Sequence, residues 1–381
     1  MNAMSTRVAT AHQRAIEDAQ ALVLVPNDGK FRLTTVAVGD PQAPLATFLT
    51  ILDLHGFLND EGRLASDVGL VSMGDHFDWG KADQRVQATR EGSAILAWLA
   101  AHPPDQVQIV FGNHDLVRVG ELSTFTDDAF RIARAEADLA YRNGDVDPAL
   151  QAALVEKHPT VPKAEVLARD FSCFDVAQRV LVTRLLKERR ARLAVAPAAD
   201  LLLVHAGVTA TELRWLQVEN RDAFTTAAAI NRFLDERVER WPGEGPLDLT
   251  PLHEQGAAKA GEAKGMLFHR AANPSVKEVG RADRRFDPRT LPRGISQGIG
   301  HISDKKCREL LGDWVEPNPI TYGKIRGLTL DQDAVRYRLG ARDGDALFYL
   351  DGGMNHVPPD QYELFDLRRR QPSSKREISG T

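Results

Sequence analysis

VAVGDPQAPLATFLTILDLHG, residues 36–56, opens like a strand and continues like a helix. The β-branched run TTVAV ends at Gly39-Asp40, and Leu45, Phe48, Leu49 and Leu52 then recur at helical spacing. Two places in this stretch could hold a metal: Asp40-Pro41-Gln42 and Asp53-Leu54-His55-Gly56. If the helix runs to Leu54, Asp53 and His55 belong to its last turn. There Gly56 serves as a C-cap and the helix dipole accounts for His55. Asp40 instead stands where a strand passes into a loop, a position that rigid backbone fixes, and Gln42 offers an amide oxygen suited to a hard or borderline cation. Asp40 and Gln42 are therefore the favoured pair.

The same pattern recurs along the chain. VGLVSM leads into Gly74-Asp75, VQIVF into Gly112-Asn113, and LLLV into His205-Ala206-Gly207. GISQGI leads into Gly300-His301 and ALFYL into Asp351-Gly352-Gly353. Short runs of Val, Ile, Leu and Phe read as buried strands. In open α/β sheets ligands collect outside the carboxyl ends of strands, so these strand ends are expected to converge on one site.

Helical patterns fill the gaps. REGSAILAWLAAH before Pro103 is one, and residues 121–197 read as almost wholly helical, an insertion that shapes or caps the cleft. Another helical stretch runs from about 210 to Trp241-Pro242, and the Gly-, Pro- and charge-rich segment to Arg293 reads as loop around the site. The organisation expected is an N-terminal helix and extension over 1–30, a main domain over 31–367, and a disordered polar tail over 368–381.

Composition excludes several classes. The 381 residues can bury a substantial core, with 43% apolar and 27% charged residues and a net charge of -5, so no nucleic-acid duplex is expected as partner. The two cysteines, Cys173 and Cys307, lack metal-type spacing and read as free thiols in a reducing compartment. No run approaches the ~18 apolar residues of a membrane span, and no secretory signal is visible. A cytoplasmic protein is expected.

Taken together, GDPQAP, GDHFDWG, GNHD, HAG and GH resemble, in type and order, the motifs of the calcineurin-like metallophosphoesterases, especially the phosphoprotein phosphatase and bacterial diadenosine-tetraphosphatase-like branch. The resemblance implies an αββα sandwich with two mixed sheets and a helical insertion. It implies two divalent cations (Mn, Fe or Zn, with Mn favoured) bridged by Asp75, one completed by Asp40 and Gln42, the other by Asn113, His205 and His301. Such a pair lowers the pKa of a bridging water and clamps phosphoryl oxygens. His114 matches the family's general acid, Asp115 is expected to hold and polarise it, and Asp78 to shape the loop from behind. The implied function is hydrolysis of a phosphomonoester, on a protein or a small molecule. The alternatives are a nucleotide or dinucleotide polyphosphate pyrophosphohydrolase and a catalytically weakened binding protein.

Two positions depart from the family pattern. Gln42 replaces the usual His, and a neutral amide is the weaker donor. Trp79 replaces an Arg that grips phosphate. Arg270 in GMLFHR is the candidate replacement, with Arg118 and Arg293 as alternatives, and Trp79 is either core packing or an aromatic wall for a substrate ring.

Overall fold

The computed structural model describes residues 4–219, 222–277, 281–332 and 334–375. All six runs read as strands are strands, and they divide evenly between two six-stranded mixed sheets. In the first sheet, Thr34–Val38, Val68–Ser72 and Val107–Val110 run parallel, with Ala191–Arg192 added parallel at one edge and Phe365–Asp366 antiparallel beside Thr34–Val38. In the second, Leu201–Val204, Ser296–Ile299 and Leu347–Tyr349 run parallel, flanked by the antiparallel Arg326–Asp331 and Ala194–Ala198.

Strand periodicity explains the layering. Ala37, Val71 and Val110 of the first sheet pack with Leu201, Leu203 and Phe348 of the second in an inter-sheet core. Their neighbours Val36, Val38, Leu70 and Ile109 belong to the outer core beneath the helices. Apart from Gln108, the central strands are buried or nearly so on both faces, so they read as mostly apolar runs instead of alternating ones. The chain is thus an α/β sandwich, sheet against sheet with helices outside.

The helix Leu45–Leu54 buries Leu45, Phe48, Leu49 and Leu52, the predicted stripe, and His55 caps it before Gly56 turns at positive φ. Behind the first sheet it meets Arg85–Ala100 and the N-terminal helix Thr6–Gln20, whose start is capped by Ser5 Oγ accepting from Val8 N at 3.2 Å.

Two expectations are corrected. The insertion does not run helical to Pro197. It comprises Asp127–Ala140, a short hairpin, Pro148–Lys157, a wide turn and Val176–Lys187, after which Ala191–Arg192 and Ala194–Ala198 are edge strands of the two sheets. Pairing with Leu201–Val204 overrides the helical preference of the alanine-rich ARLAVAPAA. The start of the tail is ordered too: Gln371–Pro372 pairs with Phe365–Asp366, while 376–381 lie outside the described residues. Both cysteines are free and buried. Among the described residues no helix is long and apolar enough to cross a membrane.

Candidate metal centre and active site

The site forms where strand ends of both sheets meet. The first sheet delivers Asp40, Asp75 and Asn113, and the second delivers His205, His301 and Asp351. Glycine makes the approach possible. A β-carbon on Gly112 would overlap Asp75 Oδ1 and the His205 ring, and one on Gly300 would overlap Asp40 Oδ1. Asp75, Asp78 and His301 all hold positive φ, near +60°, a left-handed conformation that is sparsely populated outside glycine and clusters at functional sites.

His205 Nδ1 donates to the Met73 carbonyl at 2.9 Å, which leaves Nε2 as the lone-pair end of the neutral ring. That atom lies 3.1 Å from Asn113 Oδ1 and 3.2 Å from Asp75 Oδ2. His301 Nδ1 approaches the same Asn113 oxygen at 2.9 Å. One donor atom from each of Asp75, His205 and His301 falls within 4.8 Å of the others. These oxygen and nitrogen atoms converge around one point, an arrangement that favours positive charge at its centre. A proton on His205 supplies one charge; burial opposes that proton, but Asp75 outweighs it and the ring's pKa is raised.

Asp40 is buried beside them. Its Oδ2 accepts from His301 N at 2.8 Å, whereas Oδ1 is buried without a partner, as is His301 Nε2. Burial, then the charges of Asp351 and Asp75, push the Asp40 carboxyl well above the usual range. Burial, with Arg270 and His205 nearby, pushes His301 well below its ordinary value. Gln42 donates from Nε2 to Phe77 O at 2.9 Å, leaving Oε1 as the uncommitted end of the amide. Orphaned acceptors and mutually repelling carboxylates are what a divalent-cation site looks like from its protein side, and the donor set fits one. Asp53 and His55 lie elsewhere: Asp53 accepts from Ser5 Oγ at 2.6 Å and His55 faces Tyr362 O.

The partner of His114 differs from the expectation. Asp78 Oδ2, not Asp115, meets His114 Nδ1 at 3.0 Å, while Nε2 faces Asp75 Oδ2 at 4.0 Å. Burial lowers the pKa of His114, but Asp75 and Asp78 together outweigh it and the pKa is raised. Asp115 ties the loops together. It accepts from the main-chain amides of Asp75, His76 and Gly112 and from His76 Nδ1, all at 2.8–3.1 Å. Because these donors surround its carboxylate, Asp115 has no capacity left for His114. His76 Nε2 in turn meets Ser72 Oγ at 2.9 Å. This Ser72–His76–Asp115 row has the order of a nucleophile triad, but all three residues are 0% exposed, so no substrate reaches it.

Above the centre lies a cavity of about 560 Å³, walled by the insertion (Pro162, Val166, Phe171) and by Ala263, Phe268 and Arg284. Lys163 Nζ spans the two walls, 2.5 Å from Glu165 and 2.8 Å from Glu262. Arg270 lines the cavity with a buried Nε that has no partner, and burial with Arg284 nearby lowers its pKa to about 10, so it remains cationic at neutral pH. Arg118 is fully buried on Asp78, and Arg293 is exposed on a separate cleft. Trp79 is corrected to core packing: it is 4% exposed, sits against Ala88 and Cys173, and does not line the cavity.

No family model matches the chain, and no curated protein sequence matches it. Among solved structures it aligns with the cold-active protein-tyrosine phosphatase of a psychrophile, Shewanella sp., at 14% identity over 91% of this chain and 78% of that one, with a TM-score of 0.37. A second structure of a cold-active protein tyrosine phosphatase aligns at 12% identity over 89% and 74%, and a point mutant at 13% over 89% and 76%, both with a TM-score of 0.35. Overlaps of this quality do not place the chain in a family.

Several site residues were missed in the sequence. Asp351, one of the strand ends expected at the site, follows Leu347–Tyr349 just as Asp40 follows Thr34–Val38, but the sequence alone assigns it no role. Glu121 and Phe171 fall in the stretch read as helical insertion and Arg284 in the stretch read as loop, and only the folded chain brings them to the cavity.

Proposed function

We propose that the protein is a dinuclear metal-dependent phosphoesterase acting on phosphomonoesters. The observation that carries this reading is the convergence of one ligand atom from each of Asp75, His205 and His301 within 4.8 Å of one another, beside the Asn113 amide oxygen. Asp40, Gln42 and Asp75 would hold one divalent cation, and Asp75, Asn113, His205 and His301 the other. Bound there, the pair supplies a water acidified towards neutral pH and neutralises charge on the phosphoryl oxygens.

The remaining work belongs to the chain. Arg270, desolvated and unpaired, would orient the phosphate by a charge-assisted fork. His114 delivers a proton from Nε2 to the ester oxygen as the P–O bond breaks and the oxygen of water adds to phosphorus. Asp78 holds Nδ1–H, so the proton-bearing Nε2 is the nitrogen directed at the cavity. This pairing supports an enzyme over a binding scaffold, which has no need of an oriented acid. The pyrophosphohydrolase reading called on Trp79 as a base-stacking wall, and Trp79 is buried in the core.

The test is to strip metal, restore Mn²⁺, and compare a chromogenic phosphomonoester, a phosphodiester and a dinucleotide polyphosphate. Turnover of the monoester is expected. Activity confined to the dinucleotide, or none with Mn²⁺, Fe²⁺ or Zn²⁺, overturns the proposal.

A further inference from the structure

The helical insertion reaches the proton donor by two routes. The first is a wide turn over Val166–Asp170, closed by Phe171 N donating to Val166 O at 2.7 Å, five residues back. Such π-type turns are rare and concentrate at functional sites. This one sets Val166, Arg169, Asp170 and Phe171 along the cavity. The ring of Phe171 then meets the His114 imidazole edge-on, with centroids 4.9 Å apart and planes at 76°. The second route runs through the main chain of Cys173. Its N–H donates to Asp78 Oδ1 at 2.8 Å, and its carbonyl accepts from Arg118 Nη2 at 2.9 Å. Arg118 Nη1 closes the loop on Asp78 Oδ2 at 2.6 Å.

A single hydrogen bond at Nδ1 anchors one atom of an imidazole and leaves the ring free to rock about its Cβ–Cγ bond. The bond weakens only gradually until the angle departs widely from linear. A proton donor that rocks spends less time aimed at the leaving oxygen, and misplacement of about 1 Å already costs on the order of a hundredfold in rate. The Phe171 ring packs against the imidazole and so restricts its tilt, and an edge-to-face pair adds its own preference of roughly 0.5–1.5 kcal/mol.

We propose that Phe171 is a positioning residue for His114, and that the insertion is thereby part of the proton-delivery apparatus as well as a wall of the cavity. The proposal rests on the phosphoesterase reading. It separates from a plain wall role because proton delivery matters only when the leaving group needs a proton.

The experiment uses the full chain loaded with Mn²⁺ and two esters. p-Nitrophenyl phosphate releases a phenolate that is stable unprotonated, whereas glycerol 2-phosphate releases an alkoxide that is not. For Phe171→Leu, kcat on the alkyl ester should fall about tenfold or more, part of what general acid catalysis supplies. Metal content should be unchanged, and kcat on the aryl ester should fall several-fold less than on the alkyl ester. Phe171→Tyr, which keeps the ring edge, should restore the alkyl rate. Equal losses on both esters, a rise in KM with kcat intact, or no change at all would overturn the proposal. Should Phe171→Leu fail to fold, Phe171→Met carries the same comparison. A wild-type protein that cleaves neither ester defeats both readings, whereas one that cleaves both regardless of position 171 defeats this one alone.

Discussion

Asp78 Oδ2 lies 3.0 Å from His114 Nδ1, and this bond determines which nitrogen of the ring faces the cavity. The same carboxylate is held by Arg118 Nη1 and by the Cys173 amide, so its orientation is fixed before any substrate arrives. Asp78→Asn should therefore lower kcat on an alkyl phosphomonoester by roughly 10²-fold or more while metal content stays unchanged. Metal analysis beside steady-state kinetics checks this, and a loss of metal in step with activity would contradict it.

Asp115→Asn should behave differently. The carboxylate accepts from three main-chain amides and from His76, and an amide cannot replace all four acceptor contacts. Stranding buried donors costs about 1–3 kcal/mol each. The variant should unfold at clearly lower denaturant concentration than the unaltered protein, as equilibrium urea titration would show.

Gly300→Ala should displace Asp40, because a β-carbon at 300 overlaps Asp40 Oδ1. Both Gly300→Ala and Asp40→Ala should lower bound Mn²⁺, measured by elemental analysis after dialysis. Asp53→Ala, which loses only an exposed bond to Ser5, should not. Retention of metal by Asp40→Ala together with its loss from Asp53→Ala would reassign the site to the other aspartate.

Glu121 gives a pH signature. Burial lifts its pKa from 4.5 to about 7, although its Oε1 accepts from Gly256 N at 2.7 Å. Between these values the folded chain keeps a proton that the unfolded chain has released. Stability from this group is therefore fully present below about pH 4.5 and is lost as pH rises through about 7. Glu121→Gln should remove that part of the decline, read as a flatter plot of unfolding free energy against pH from 4.5 to 7.

Trp79→Ala should cost about 3–5 kcal/mol of stability, as other large core truncations do. It should leave KM for a small phosphomonoester unchanged. A raised KM with unchanged stability would instead make Trp79 a substrate wall.

The strands and their terminal residues were legible because a strand buried on both faces writes itself as a continuous apolar run, and ligands follow its end. Preference for Asp40 over Asp53 came from the same logic, and their surroundings differ as that logic requires. The partner of His114 was not legible. Asp115 adjoins it in sequence while Asp78 lies 36 residues away, and the turn with positive φ at Asp75 and Asp78 brings the distant carboxylate to the ring while the adjacent one is taken by His76. ARLAVAPAA misled because its strand state is imposed by pairing with Leu201–Val204.

Because the donors come from both sheets, any ion they share would act as a rivet between two separately hydrogen-bonded layers. Its binding free energy then adds to the docking of those layers, so loading and stripping it should change how cooperatively they come apart. The loaded protein should melt in one step, and the stripped protein should release one layer ahead of the other.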